Sequence, residues 1–126
     1  MANIELKNVF VCENALVSLD GKLSLINIFT EITSKGFPAI NPKFTILTSI
    51  MGTVGPHTEI IEIISPDGSS IAKVEGPADI NGPGGNNFLA NFINVAFPAE
   101  GKYWIKISVD DNPLNKKDEN FILAKK

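Results

Sequence analysis

The sequence contains no arginine. Its eleven positively charged side chains are all lysines. The chain also has fourteen Asp and Glu residues, so the formal net charge is −3. Arginine is the side chain that usually reads guanine edges and grips phosphates through two parallel hydrogen bonds. Because the chain is acidic and lacks this residue, we predict that it has no nucleic-acid partner.

Cysteine and histidine are equally scarce, with one of each, Cys12 and His57. A single cysteine cannot form an intramolecular disulfide, and a lone thiol is typical of a reducing compartment. Cys12 and His57 are also the sole nucleophile–base pair for thiol catalysis, but nothing in the sequence brings them together. We therefore expect Cys12 to be a core residue and His57 a turn residue in solvent. We predict that the protein is not an enzyme.

Long hydrophobic runs are missing too. No apolar stretch approaches the roughly 20 residues that a membrane-spanning helix needs. Residues 1–7 lack the basic and apolar regions of a signal peptide. The sequence thus predicts a cytoplasmic protein without a membrane partner.

The composition is that of one globular domain spanning residues 1–126. Apolar residues make up 44% of the chain and charged residues 20%, which excludes a disordered chain. Isoleucine, proline and glycine are frequent, and helix-forming runs are absent. This balance favours strands and turns.

One stretch, residues 97–113, indicates the fold class most directly. Pro98 and Gly101 mark a turn, and the residues that follow alternate between two sets. Such a period of two is typical of a half-buried antiparallel strand. The row predicted to face inward is Tyr103, Ile105, Ile107 and Val109, and the row predicted to face outward is Trp104, Lys106 and Ser108.

The rest of the chain follows the same plan, with short apolar segments between turn signals. Asp20-Gly21 and Ser65-Pro66-Asp67-Gly68 are strong turn sequences. Residues 37–42 hold two prolines and predict a connection, and the glycine-rich residues 76–87 predict a loop. We predict an all-β protein, an antiparallel β-sandwich of about eight strands, immunoglobulin-like or macroglobulin-like. The predicted strands are 4–19, 23–32, 44–51, 57–64, 71–75, 88–97, 103–109 and 121–123.

Three motifs resemble those of a bacterial family of small domains of unknown function. They are Cys12-Glu13 followed by Gly21-Lys22-Leu23-Ser24-Leu25-Ile26-Asn27-Ile28-Phe29, then the turn at 65–68, then Phe97-Pro98-Ala99-Glu100-Gly101-Lys102-Tyr103. The resemblance implies a β-sandwich of bacterial or phage origin. It implies no activity, cofactor or site residue.

Acidic loop residues suggest a second kind of function, the binding of an ion or a small ligand. Loop carboxylates at one end of a sandwich can gather calcium, and an aromatic cleft near Trp104 could take a sugar. Calcium loops space their carboxylates as Asp-x-Asp, however, whereas aspartate is also a common turn residue. We predict no metal and no cofactor, and keep ligand binding as the alternative. The aspartates are Asp20, Asp67, Asp79, Asp110 and Asp111.

Several predicted strands are apolar on both faces, although a two-layer domain buries only one face of each sheet. The additional side chains need cover from loops, from a closed curl of the sheet or from another subunit. Trp104 is either packed under a loop or an anchor at a contact surface. We therefore predict an interaction or assembly module that forms a homo-oligomer or binds another protein. The candidate interaction surface comprises Trp104, Leu25, Phe29, Leu47 and Met51.

Overall fold

The computed structural model describes residues 3–126, which contain ten β-strands and no helix. No segment of this described part is therefore a helix long and apolar enough to cross a membrane. The all-β class predicted from the sequence is confirmed, with ten strands where about eight were expected. The strands are β1 (Ile4–Val17), β2 (Leu23–Ile28), β3 (Glu31–Thr33), β4 (Ala39–Gly52), β5 (Thr58–Ile64), β6 (Ser70–Pro77), β7 (Asn86–Phe97), β8 (Gly101–Val109), β9 (Asn112–Pro113) and β10 (Phe121–Lys125).

The strands form two sheets. Sheet A has four strands in the order β2-β1-β4-β7, and sheet B runs β3-β10-β8-β5-β6 with β9 added beside β8. Neighbouring strands are antiparallel except for the short parallel pair of β3 and β10. Asp20-Gly21 and Ser65–Gly68 do form turns, and both Gly21 (φ 84°) and Gly68 (φ 92°) use the left-handed backbone region that favours glycine.

The core lies between the inward faces of the two sheets. The inward row predicted for β8 is confirmed, because Tyr103, Ile105, Ile107 and Val109 are all buried. Sheet A meets this row with Val11, Phe44 and Ile46 in the same cluster. Phe44 stacks on Phe92 with ring centroids 5.1 Å apart. The core cluster therefore takes apolar side chains from both sheets, which removes hydrophobic surface from water.

The prediction that residues 37–42 form a connection is wrong in part, because the central strand β4 begins at Ala39 and includes Pro42. Asn41 pairs with Val95 and Lys43 with Ile93, whereas no pairing joins Pro42 to Asn94. Asn94 has a φ of 51°, a left-handed conformation that Asn tolerates better than most residues. Proline is accommodated here because the ladder is interrupted where its missing N–H would be needed. β7, which carries Asn94, forms one of the two edges of sheet A.

The start of β8 is held by a side chain. The Tyr103 hydroxyl donates a hydrogen bond to the Ala99 carbonyl at 2.6 Å and accepts one from the Ala99 N–H at 3.1 Å. The ring itself packs edge-on against Phe97 at 4.9 Å. Tyr103 thus fixes the turn between β7 and β8 and fills the core at the same time.

Replacing Tyr103 with Phe should lower the free energy of unfolding by about 1–2 kcal/mol, because both main-chain groups of Ala99 lose their partner while the ring stays. Urea unfolding followed by circular dichroism measures this change. An unchanged transition midpoint would show that water replaces the hydroxyl without cost.

Candidate functional site

The outward face of sheet A is the most unusual surface of the protein. The register of the strands places its side chains in three neighbouring rows. The rows, each read across the sheet from β2 or β1 to β7, are Phe10–Leu47–Leu89, then Ile28–Cys12–Thr45–Asn91, then Ile26–Asn14–Lys43–Ile93.

The rim of this face projects large apolar side chains into solvent. Ile93 is 60% exposed, Ile28 56%, Ile26 40% and Phe10 39%. Ile40, which pairs with Ala96 at the end of the same face, is 67% exposed. Single exposed apolar residues are ordinary on a protein surface, but a contiguous group of them marks a contact surface.

The centre of the face is covered by these larger neighbours. Cys12, Thr45 and Leu47 are buried although they point away from the core. The Thr45 hydroxyl donates to Asn91 Oδ1 at 2.7 Å, so its polar group is satisfied within the sheet. The centre of this face is therefore closely packed, although its rows also carry the polar residues Asn14, Lys43 and Asn91.

The three rows of this face contain little charge. In the three rows of the described chain Lys43 is the single ionised side chain, and its Nζ lies 3.4 Å from Asn14 Oδ1. Depletion of charge at the centre of a surface is the compositional signal of a protein interface.

The structure divides the residues of the sequence-predicted interaction surface between three locations. Leu47 and Met51 point outward from sheet A, where Leu47 is buried by its neighbours and Met51 lies half-buried. On β2, Ile26 and Ile28 occupy the outward positions, whereas Phe29 packs against the core and meets Phe44 edge-on at 6.4 Å. Leu25 is half-buried opposite Ala15. Phe29 and Leu25 are thus not part of the exposed face.

Trp104 lies on the outward face of sheet B, a different surface. It is half-buried between its strand neighbours Phe121 and Ile64, and Lys106 Nζ sits 5.7 Å from its ring centroid. The indole Nε1 is buried and has no hydrogen-bond partner within residues 3–126. The structure does not bring Trp104 together with Leu47 and Met51.

Cys12 and His57 also lie apart in the fold. Cys12 is on the outward face of sheet A, and burial raises the pKa of its thiol above the ordinary value. His57 is 7% exposed, so the prediction of a solvent-exposed histidine is wrong. Its ring is held by Asp110 Oδ2 at 2.6 Å and by the Thr53 carbonyl at 2.7 Å. The contact with Asp110 is distant in sequence and was not predicted.

Three of the five loop aspartates are engaged, each with a different partner. Asp20 pairs with Lys22 at 3.3 Å, Asp67 accepts from the Ser69 N–H at 3.0 Å, and Asp110 holds His57. Residues 3–126 contain no group of three or more His, Cys, Asp or Glu side chains that could hold a metal ion.

A family model matches residues 7–118, which is most of the chain. The chain belongs to a family of unknown function (DUF6941). The expected membership in a family without assigned function is therefore confirmed. No curated protein matches the sequence.

The buried position of Cys12 predicts an unreactive thiol in the native protein, because the thiolate is the reactive form and burial disfavours it. A disulfide reagent added to the native protein should release almost no chromophore. The same reagent in concentrated urea should modify one thiol per chain. Rapid modification under native conditions would mean that the outward face of sheet A opens readily.

Proposed function

We propose that this protein is a non-enzymatic assembly module that associates with a second copy of itself through the outward face of sheet A. The observation that carries the proposal is the group of five large apolar side chains around a closely packed centre with little charge. Removing them from water is favourable by about 25 cal/mol per Å² of apolar area.

The size of the face supports a stable contact. β4 and β7 pair from Ala39 to Ile50, with one interruption at Pro42. Three strands of at least twelve residues and the six-residue β2, spaced about 4.8 Å apart, make a face of roughly 650 Å². A standard interface needs about 800 Å² per partner, so this face comes close to that size without help from the loops.

The chemistry of the face favours an identical partner. A twofold dimer uses the same patch on both subunits, so the patch has to be complementary to itself. An aliphatic surface meets this condition, because isoleucine side chains can pack against each other across an interface just as they do in a protein core. A patch of one charge would repel its copy. Lys43, the one charge, already contacts Asn14.

The placement of the reactive side chains supports the non-enzymatic part of the proposal. His57 uses both ring nitrogens in bonds to Asp110 and Thr53, so it has none left to serve as a base. Cys12 is buried under aliphatic neighbours, and its raised pKa disfavours the thiolate that a nucleophile needs.

We also infer that the two sheets form a β-sandwich, because one core cluster draws its side chains from both of them. A reduced Cys12 agrees with a cytoplasmic setting. The three sequence motifs support a bacterial or phage origin.

Replacing Ile28 and Ile93 with Lys should abolish the dimer, because four unpaired ammonium groups would enter the buried interface. The expected dissociation constant rises at least about 100-fold, since an uncompensated buried charge costs several kcal/mol. Sedimentation velocity over a range of micromolar concentrations measures the change.

The matched control is Val54→Lys, which places the same charge on an exposed apolar residue (64%) outside this face. It should associate like the wild type. A strictly monomeric wild type at high concentration, with a melting point independent of concentration, would contradict the proposal. Association of the wild type that the double variant leaves unchanged would assign the contact to another surface, such as that of Trp104.

A further inference from the structure

Glu59 is a carboxylic acid without solvent-exposed surface. It lies on β5 in the same inward row as Ile61 and Ile63, where the strand pairs with Val109 on one side and Gly76 on the other. One carboxyl oxygen, Oε2, is bonded to the hydroxyl of Thr48 on β4. The contact therefore joins sheet B to sheet A across the core.

The other carboxyl oxygen, Oε1, is buried and has no hydrogen-bond partner in the described part of the chain. An ionised carboxylate in this position would be uncompensated, because the ion pairs within residues 3–126 are Lys22–Asp20, His57–Asp110 and Lys125–Glu31, and none of them includes Glu59. Its neighbours across the core and along the sheet are Thr48 on β4, Val109 on β8 and Gly76 on β6, and the nearby acids Glu62 and Glu75 belong to the outward rows. Burial accordingly raises the pKa of Glu59 to about 7, although the Thr48 bond works in the opposite direction.

His57 is the second titratable group at this end of the sheets. Its Nδ1 lies 2.6 Å from Asp110 Oδ2 and its Nε2 lies 2.7 Å from the Thr53 carbonyl oxygen. Both partners are acceptors, so the two bonds are satisfied together only when the ring carries two protons and a positive charge. The bond to Asp110 is the main reason why the pKa of His57 is raised, and the charge of Asp79 adds to it.

The hydrogen bonds of His57 and of the neighbouring main chain hold the loops at this end of the two sheets in place. Gly55 and Ile80 exchange two main-chain hydrogen bonds of 2.8 and 2.9 Å, and Ala78 donates to the His57 carbonyl at 2.9 Å. The Thr58 N–H bonds to Asp110 Oδ1 at 3.0 Å. Together the loops at 53–57 and 78–85 cover a small apolar cluster of Ile50, Ala78, Ile80 and Val109.

We propose that this end of the sheet pair is a proton-dependent clasp, which is closed when Glu59 and His57 are protonated and loosens when they lose their protons. The inference goes beyond self-association and does not depend on it, since both groups lie away from the outward face of sheet A. The device would make the loops at 53–57 and 78–85 open more often in alkaline than in neutral solution.

The two groups act in the same direction. The folded pKa of Glu59, about 7, lies above its ordinary value of 4.5, so the folded state holds the proton more tightly and stability falls as pH rises between these values. The pKa of His57 is raised above 6.5, so its contribution is complete below pH 6.5 and is lost as pH rises through the folded pKa. The lowered pKa of Asp110 keeps that carboxylate ionised across the whole window.

The test combines a titration with a stability profile on the full chain. The ¹³C carboxyl resonance of Glu59 and the ring proton resonances of His57 are followed from pH 4 to 9, together with the amide resonances of Gly55 and Ile80. The clasp requires a Glu59 midpoint near 7 and amide shifts that follow the same midpoints. A Glu59 midpoint near 4.5, or amide resonances that ignore both titrations, would overturn it.

Urea unfolding of Glu59→Gln at the same pH values gives the second measurement. Relative to the wild type, the unfolding equilibrium constant of the variant should fall by about 40-fold in total between pH 5 and 7, because the variant no longer binds the Glu59 proton. Glu62→Gln, on the outward row of the same strand, is the matched control and should keep the wild-type slope. If Glu59→Gln does not fold, the resonances of the wild-type protein decide the matter alone.

Discussion

The structure depends on one constraint, namely that the shared core takes its buried side chains from one face of each sheet. The inward rows satisfy it with large side chains from both sheets, of which Tyr103 and Phe44 are fully buried. The outward face of sheet B carries charged residues such as Lys106 and Glu62, which are compatible with water. On sheet A, by contrast, large apolar side chains such as Ile28 and Ile93 are exposed on the outward face beside a few polar residues. The contrast between the two outer surfaces is the physical reason for assigning a partner to one of them.

The alternation of β8 was predictable because its polar and apolar residues differ sharply along the strand. β2 was not predictable in the same way, since Leu25, Ile26, Ile28 and Phe29 are apolar on both sides and periodicity alone does not say which side faces the core. In β7 the left-handed Asn94 shifts the phase, so that Ile93 points outward while Val95 is buried. If the period of two is continued through Asn94, Ile93 and Val95 are predicted to lie on the same face.

The ionisable groups at the loop end illustrate a different limit. Glu59 and Glu62 look equivalent in composition, but Glu59 is in phase with the buried Ile61 and Ile63 and Glu62 is not. That phase is a signal the sequence does contain. The partnership of His57 with Asp110 spans 53 residues and is created by the pairing of β5 with β8, so it becomes visible only when the topology is known.

The interrupted pairing at Pro42 and Asn94 affects how copies of this chain could assemble. β7 forms an open edge of twelve residues, and a flat edge of that length invites strands of other molecules to add on without limit. A left-handed residue in the strand bends the edge and interrupts its regular row of donors and acceptors. Growth into fibres along this edge is thereby discouraged, which is compatible with the proposed contact through sheet faces.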